Sequence, residues 1–248
     1  MTVAGYAADW PAPAGVRSWQ TTRAGGLSDG SYSSLNLGLH VGDDAKAVAA
    51  NRKRLRTDLN LPGEPVWLEQ VHGARILRPD QGETGPADGA VTTRESAVLA
   101  VMTADCLPVL LTTKSGGIVG IAHAGWRGLA DGVLGAAVEA LACEPSEILA
   151  WLGPAISEPA FEVGDEVRET FVAAGPAHAR HFRRNARGRW QADLPALARR
   201  ALAAAGVRAV YGNPACTYGD AERYFSHRRE APCGRMASLV WLESGAKR

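Results

Sequence analysis

The chain has 248 residues, 46% hydrophobic and 21% charged, with a formal net charge of +1. That balance suits a globular protein with a sizeable core, and it argues against both a solvated acidic tail and the basic field of a general nucleic-acid binder. The four cysteines, Cys106, Cys143, Cys216 and Cys233, include no CxxC pair, so any metal or catalytic role falls to single thiols meeting distant partners rather than to a disulfide framework.

The first residues, MTVAGYAADWPAPAGV, lack the charged n-region and continuous apolar run of a signal peptide. No window of about 18 apolar residues predicts a membrane span, and the cytoplasm is the default location. Residues 1–18 read as a leader, stiffened by PAPAG, and residues 19–248 as one domain, because no linker divides them. VRSWQTT is the first strand candidate. Residues 22–38, rich in Gly and Ser, form a long loop of the kind that often carries function. DDAKAVAANRKRLRTDL predicts a helix capped by Asp43 or Asp44. PVWLEQVHG reads as a strand ending at Gly73, and SAVLAVMTA as a buried strand. After a break at DCLP, VLLTT and GGIVGIAHAG continue as strands. From Trp126 a helix follows, with Leu129, Val133, Leu134, Ala137, Val138 and Leu141 on one face. EILAWLG is a strand. GDEVRETFVAAG and ADLPALARRALAAAG are helices, the second capped by Asp193 and stopped by Gly206. VRAVYG and RMASLVWL close the chain as strands. Strands and helices mix without strict alternation, which predicts an α+β layered sandwich of mixed sheets flanked by helices, in a single domain.

Three strand ends carry reactive side chains: His72, Asp105 with Cys106, and His123. Turns at strand ends are where a sheet presents side chains to a cleft. His, Cys and His are competent zinc ligands, and three without short spacing suit a catalytic site with an open position better than a closed structural one. Spacing alone leaves the plain alternative open, a buried thiol and two hydrogen-bonded histidines.

The segments LEQVHG, ADGAVTT, TADCLPVLL, AHAGWRG, GPAISEPAFEVG, NPACTY and FSHRRE with GRMASLVWL occur in this order. Together they resemble the multicopper polyphenol oxidase-like, or laccase-domain, family, from about Trp19 to Leu242. The resemblance implies a catalytic domain of layered α/β architecture over residues 19–248. It implies a zinc-dependent purine nucleoside phosphorylase with adenosine deaminase activity, and bacterial relatives are linked to peptidoglycan editing. His72, Cys106 and His123 are the implied zinc ligands. His227 stands where the family favours Tyr, and PCGR where it often has a Thr-Gly pair. Both departures leave the role of residues 227–233 open, and Cys233 is not counted as a ligand.

A thiolate and two neutral imidazoles leave zinc a net positive charge and one free position, as attack on C6 of adenine or phosphorolysis at C1′ of the ribose would need. Phosphate needs cationic donors. Arg127 is nearest in sequence to the ligand motif, with Arg23, Arg52 and the pair Arg228 and Arg229 as further candidates; the plain alternative for each is a structural or solvated arginine. Asp105 is a candidate for orienting a ligand or transferring a proton, Trp126 for stacking on a base or filling the core, and Asn36 and Gln70 for reading purine edges. The partners expected are purine nucleosides and phosphate, with no nucleic acid or membrane, for a monomer or weak homodimer. Two other chemistries compete. One is a cysteine-type amide hydrolase acting on peptidoglycan precursors, with Cys106 as nucleophile. The other is a copper-dependent polyphenol oxidase, which six histidines supply poorly.

Overall fold

Side chains of a β-strand alternate between two faces, and here that alternation builds the layers. The computed structural model describes residues 3–243 and 245. A five-stranded sheet has the spatial order Gly5–Tyr6, Val16–Thr21, Met236–Leu242, Val98–Thr103, Pro65–Trp67. A six-stranded sheet runs Ala209–Tyr211, Ile148–Leu152, Leu107–Thr113, Val119–Ala124, Gly89–Thr92, Ile76–Leu77. Both are mixed. Val98–Thr103 is antiparallel to Met236–Leu242 and parallel to Pro65–Trp67. Ile148–Leu152 is antiparallel to Leu107–Thr113 and parallel to Ala209–Tyr211.

Leu99 and Val101 join Leu110, Ile121, Trp151 and Val240 in an apolar layer between the two sheets. Val98 and Ala100, one residue out of phase, pack with Leu55 of the helix Ala45–Asp58. In the second sheet Val109 and Leu111 turn away from Leu110 and meet Leu134 of the helix Val133–Ala140 and Leu197 of the helix Leu194–Ala204. The result is helix, sheet, sheet, helices: the predicted α+β sandwich of mixed sheets in one domain. Each fully buried Leu or Val contributes about 1.5–3 kcal/mol. No described helix is long and apolar enough to cross a membrane.

Several elements differ from the sequence expectation for local reasons. The strand PVWLEQVHG stops at Trp67. Beyond it Gln70 binds the Met102 backbone through its side chain, donating to the carbonyl at 2.9 Å and accepting from the N–H at 2.8 Å. That amide takes over the work of a backbone ladder. The helix after Trp126 is two helices, Trp126–Ala130 and Val133–Ala140, split where Gly132 adopts φ +91°; the apolar periodicity runs on across the break because both pieces face the same core. Asp44 alone caps the first helix, accepting from Lys46 N–H, while Asp43 accepts from Ser28 and Asn36. A third sheet, Glu162–Val163, Trp190–Ala192 and Phe182–Arg184, was not foreseen; strands this short carry no period. Ahead of the first predicted strand, Gly5 and Tyr6 pair with Thr21 and Gln20.

Two connections pass from the first sheet to the second. Residues 68–75 link Pro65–Trp67 to Ile76–Leu77, and residues 104–106 link Val98–Thr103 to Leu107–Thr113. They bring His72 and Cys106 to the same end of the sandwich, beside the last residues of Val119–Ala124.

Candidate metal centre

His123 is the penultimate residue of its strand and is 3% exposed. Cys106 is half-buried in the tight crossing and His72 is exposed on the longer one. One ligand atom from each lies within 4.8 Å of the other two. Cys106 Sγ and His72 Nε2 are 3.9 Å apart, and the His72 and His123 rings meet edge to face at 4.8 Å between centroids. A tetrahedral ion with ordinary Zn–S and Zn–N bonds sets such atoms about 3.5 Å apart. A soft thiolate with two imidazoles suits zinc, and the donor set fits.

Asp88 organises the site, and the sequence reading missed it. Its carboxylate is fully buried. One oxygen accepts from His123 Nδ1 at 2.8 Å and His72 N–H at 2.9 Å; the other accepts from Gly73 N–H at 2.7 Å and Val71 N–H at 3.1 Å. Fixing Nδ1 of His123 leaves Nε2 for the cluster. The same carboxylate clamps the backbone that carries His72, which sits at φ +61°, a conformation that costs a non-glycine residue about 1–3 kcal/mol. Burial works to raise the Asp88 carboxyl, but its bonds to His123 and to the backbone N–H groups hold it below the usual range. The only signal in the sequence is an Asp heading the apolar strand of ADGAVTT.

The charges of the cluster are coupled. Burial raises the Cys106 thiol, yet His123 and then His72 bring it down to about 6. Burial works to lower His123, yet the Cys106 thiolate and Asp88 raise it to about 9. Each of the two groups favours the charged form of the other.

The glycines of AHAGWRG have a steric reason. A Cβ on Gly125 would lie 3.0 Å from both Cys106 Sγ and His72 Cδ2, and one on Gly128 would lie 2.7 Å from the Gly73 carbonyl. Both let the helix Trp126–Ala130 press against the ligand loops.

Residues 17–243 match the family model described as multi-copper polyphenol oxidoreductase laccase. The chain belongs to this laccase family. It is 50% identical over 236 residues to a purine nucleoside phosphorylase of Pseudomonas aeruginosa, covering 95% of this chain and 97% of that one. It is 48% identical over 235 residues to the purine nucleoside phosphorylase YfiH of Escherichia coli, covering 94% and 96%. Among solved structures, Neisseria meningitidis protein NMB0706 superposes with a TM-score of 0.93 at 46% identity, covering 97% and 99%. YlmD of Geobacillus stearothermophilus gives 0.87 at 36%, covering 93% of each chain.

The laccase-family fold gives most of the other candidate residues internal partners. Asp105, at φ +95°, accepts from Thr217 Oγ1 at 2.6 Å and Arg228 N–H at 2.7 Å. Both its oxygens are engaged, and they tie the loops at 217 and 228 to the Cys106 turn. Asn36 is fully buried; its amide donates to Gly38 and Asp43 and accepts from the N–H groups of Gly38 and Arg235. With Gln70 bound to Met102, neither amide is free to read a purine edge. Arg23 donates to Ser33, Ala221 and Glu230, and Arg52 donates to Leu37 while stacking on Trp67 at 4.1 Å. Arg228 donates to the Glu162 carbonyl, and Arg229 to the carbonyls of Thr217, Tyr218 and Tyr224 and to Glu230. Trp126 packs partly buried against the helical core. Arg127 differs: it is exposed, lies 4.5 Å over the Trp126 ring, and has no hydrogen-bond or ion-pair partner among the described residues. His40 is also within electrostatic reach of the cluster, its charged form disfavoured by partial burial and then by Arg235, Arg52, His123 and His72.

Proposed function

We propose that this chain is a zinc-dependent enzyme of purine nucleosides, splitting them with phosphate and also deaminating adenosine. The observation that carries the reading is the convergence of His72, Cys106 and His123 on one point, with His123 held by Asp88, in a chain half identical over nearly its whole length to a relative named a purine nucleoside phosphorylase.

His72, Cys106 and His123 would hold the zinc, which when bound supplies Lewis acidity at the end of the sandwich. Cys106 brings a thiolate already favoured at neutral pH. His123 would offer Nε2 to the ion as a neutral imidazole, with Nδ1 held on Asp88. Arg127, the uncommitted guanidinium on the helix that follows the strand of His123, is the phosphate donor of choice. Trp126 underlies Arg127 and fixes where its charge sits. Asp105 would position Cys106 through the turn that it ties to residues 217 and 228.

Product analysis by liquid chromatography and mass spectrometry tests the reading. Zinc-loaded protein with adenosine and phosphate should give adenine and ribose 1-phosphate, with ribose 1-phosphate disappearing when phosphate is left out; inosine reports deamination. No turnover in either condition rejects the nucleoside reading. The depressed Cys106 thiol favours a second reading, a cysteine-type amide hydrolase, for which thiol alkylation would proceed equally with and without zinc. The copper oxidase reading has less support, since a multicopper set needs further His clusters and the described residues contain one such group.

A further inference from the structure

The single helical turn Leu39–Val41 carries His40, and polar side chains tie it down on both sides. Before it, Gly38 N–H donates to Asn36 Oδ1 at 2.9 Å, and the Asn36 amide donates to Asp43 at 2.9 Å. Within it, the Tyr32 hydroxyl donates to the Val41 carbonyl at 2.8 Å. Gly42 ends it at φ +92°. The His40 ring itself is exposed and has no hydrogen-bond or ion-pair partner among the described residues.

The turn lies against the crossings that bear the metal ligands. Arg52 donates to the Leu37 carbonyl at 2.9 Å and reaches Met102 Sδ at 3.6 Å. Leu37 N–H donates to the Arg235 carbonyl at 3.1 Å. Gln70, in the crossing that carries His72, holds the backbone of Met102 on the strand that leads to Cys106. Segments 36–43, 70–72 and 102–106 therefore meet at one junction. The charges that act on the His40 ring are those of Arg235, Arg52, His123 and His72, so the ring stands on the metal side of that junction. It is not a fourth ligand: among the described residues, the donor atoms gathered within 4.8 Å of one another are those of His72, Cys106 and His123. Both His40 and the ligand His72 are exposed, so both rings are open to a bound molecule.

We propose that His40 is the purine-recognising residue of the metal centre, donating a ring N–H to N7 of the nucleoside. This rests on the nucleoside reading above. N7 is an acceptor in every purine, whereas position 6 carries a donor in adenosine and an acceptor in inosine. Partial burial, then Arg235 and Arg52, disfavours the charged ring, and a neutral imidazole still keeps one N–H to donate. In phosphorolysis a phosphate oxygen bonds to C1′ as the C1′–N9 bond breaks. The bonding pair stays with the purine, where the His40 N–H meets the growing negative charge, and the released base takes its proton from solvent. Asn36 serves recognition only by holding this turn.

Calorimetric titration of the zinc-loaded full chain with inosine and with 7-deazainosine, without phosphate, tests this; the second ligand has C–H in place of N7. The parent should bind inosine about tenfold more tightly than 7-deazainosine, the worth of one good hydrogen bond. His40→Ala should weaken inosine by about tenfold, leave 7-deazainosine unchanged, and keep the parent's zinc affinity in chelator competition. His40→Gln, which restores an N–H, should recover part of the preference. A preference for inosine that survives in His40→Ala would overturn the role of His40 and leave the nucleoside reading intact, as would equal binding of the two ligands by the parent. No binding of either ligand by the parent would reject the nucleoside reading and the proposal with it. Loss of zinc from His40→Ala would overturn the proposal by making His40 a ligand.

Discussion

Replacing Asp88 by Asn keeps the shape of the side chain and removes its charge. The carboxylate accepts four hydrogen bonds, two on each oxygen. An amide in its place retains one oxygen and turns an NH2 group toward two N–H donors. Each buried donor left unsatisfied costs about 1–3 kcal/mol, so the Asn variant should lose about 2–6 kcal/mol of local stability if the loop stays in place. That is comparable with the whole stability of many domains, so the His72 loop should open before the sandwich does. Zinc affinity should fall about 10- to 100-fold, the usual effect of removing a partner of a metal-binding histidine. Competition against a chromophoric chelator reads the affinity, and urea unfolding followed in parallel reads the fold. An Asn variant that binds zinc within about twofold of the parent would refute the role given to Asp88.

Proton competition gives a second prediction. With Cys106 brought to about 6 and His123 raised to about 9, zinc displaces one proton, from His123, between those values. Apparent zinc affinity should rise about tenfold per pH unit from 6 to 9 and more steeply below 6; a flat profile from 6 to 9 would exclude the thiolate–imidazolium pair. Gly128→Ala should destabilise the chain by about 1–3 kcal/mol in urea. In an unconstrained helix the same change stabilises by roughly 0.5–1 kcal/mol, so the sign of the shift decides whether the Gly73 carbonyl is as close as described. Asp80 reports on acid stability. Burial works to raise its carboxyl, but bonds from Thr92 and Thr93 hold it below the usual range. Its contribution should be complete above pH 4 and fade as pH falls through the lower folded-state value. Unfolding midpoints of Asp80→Asn should therefore approach those of the parent in acid, and a gap that persists there would contradict the assignment.

The elements visible in the sequence are those whose partners are regular. The run Val98–Thr103 is apolar on both faces because it lies between a sheet and a helix, and such a run is recognisable without knowing either neighbour. Residues 68–73 read as strand in the sequence because their apolar residues look like strand residues. What ends the strand is the Gln70 amide, spending itself on Met102 thirty-two residues away, and a carboxylate at 88 that gathers three backbone donors. The three ligands were legible as reactive side chains near strand ends, and the glycines of AHAGWRG as a turn. That Gly125 and Gly128 are contact points for His72, Cys106 and Gly73 depends on two sheet crossings meeting, which no spacing encodes. The arginines and amides near the Gly-rich loop looked like substrate ligands because their chemistry suits one; the fold uses that chemistry to close its own loops.

The most direct measurement is X-ray absorption at the zinc edge on the zinc-reconstituted protein and on Cys106→Ala. The account predicts one sulfur and two imidazole nitrogens around the ion in the parent, and loss of the sulfur shell, with much weaker zinc binding, in the variant. A parent spectrum with no sulfur neighbour, or a variant spectrum identical to it, would contradict the assignment of His72, Cys106 and His123 as the metal centre.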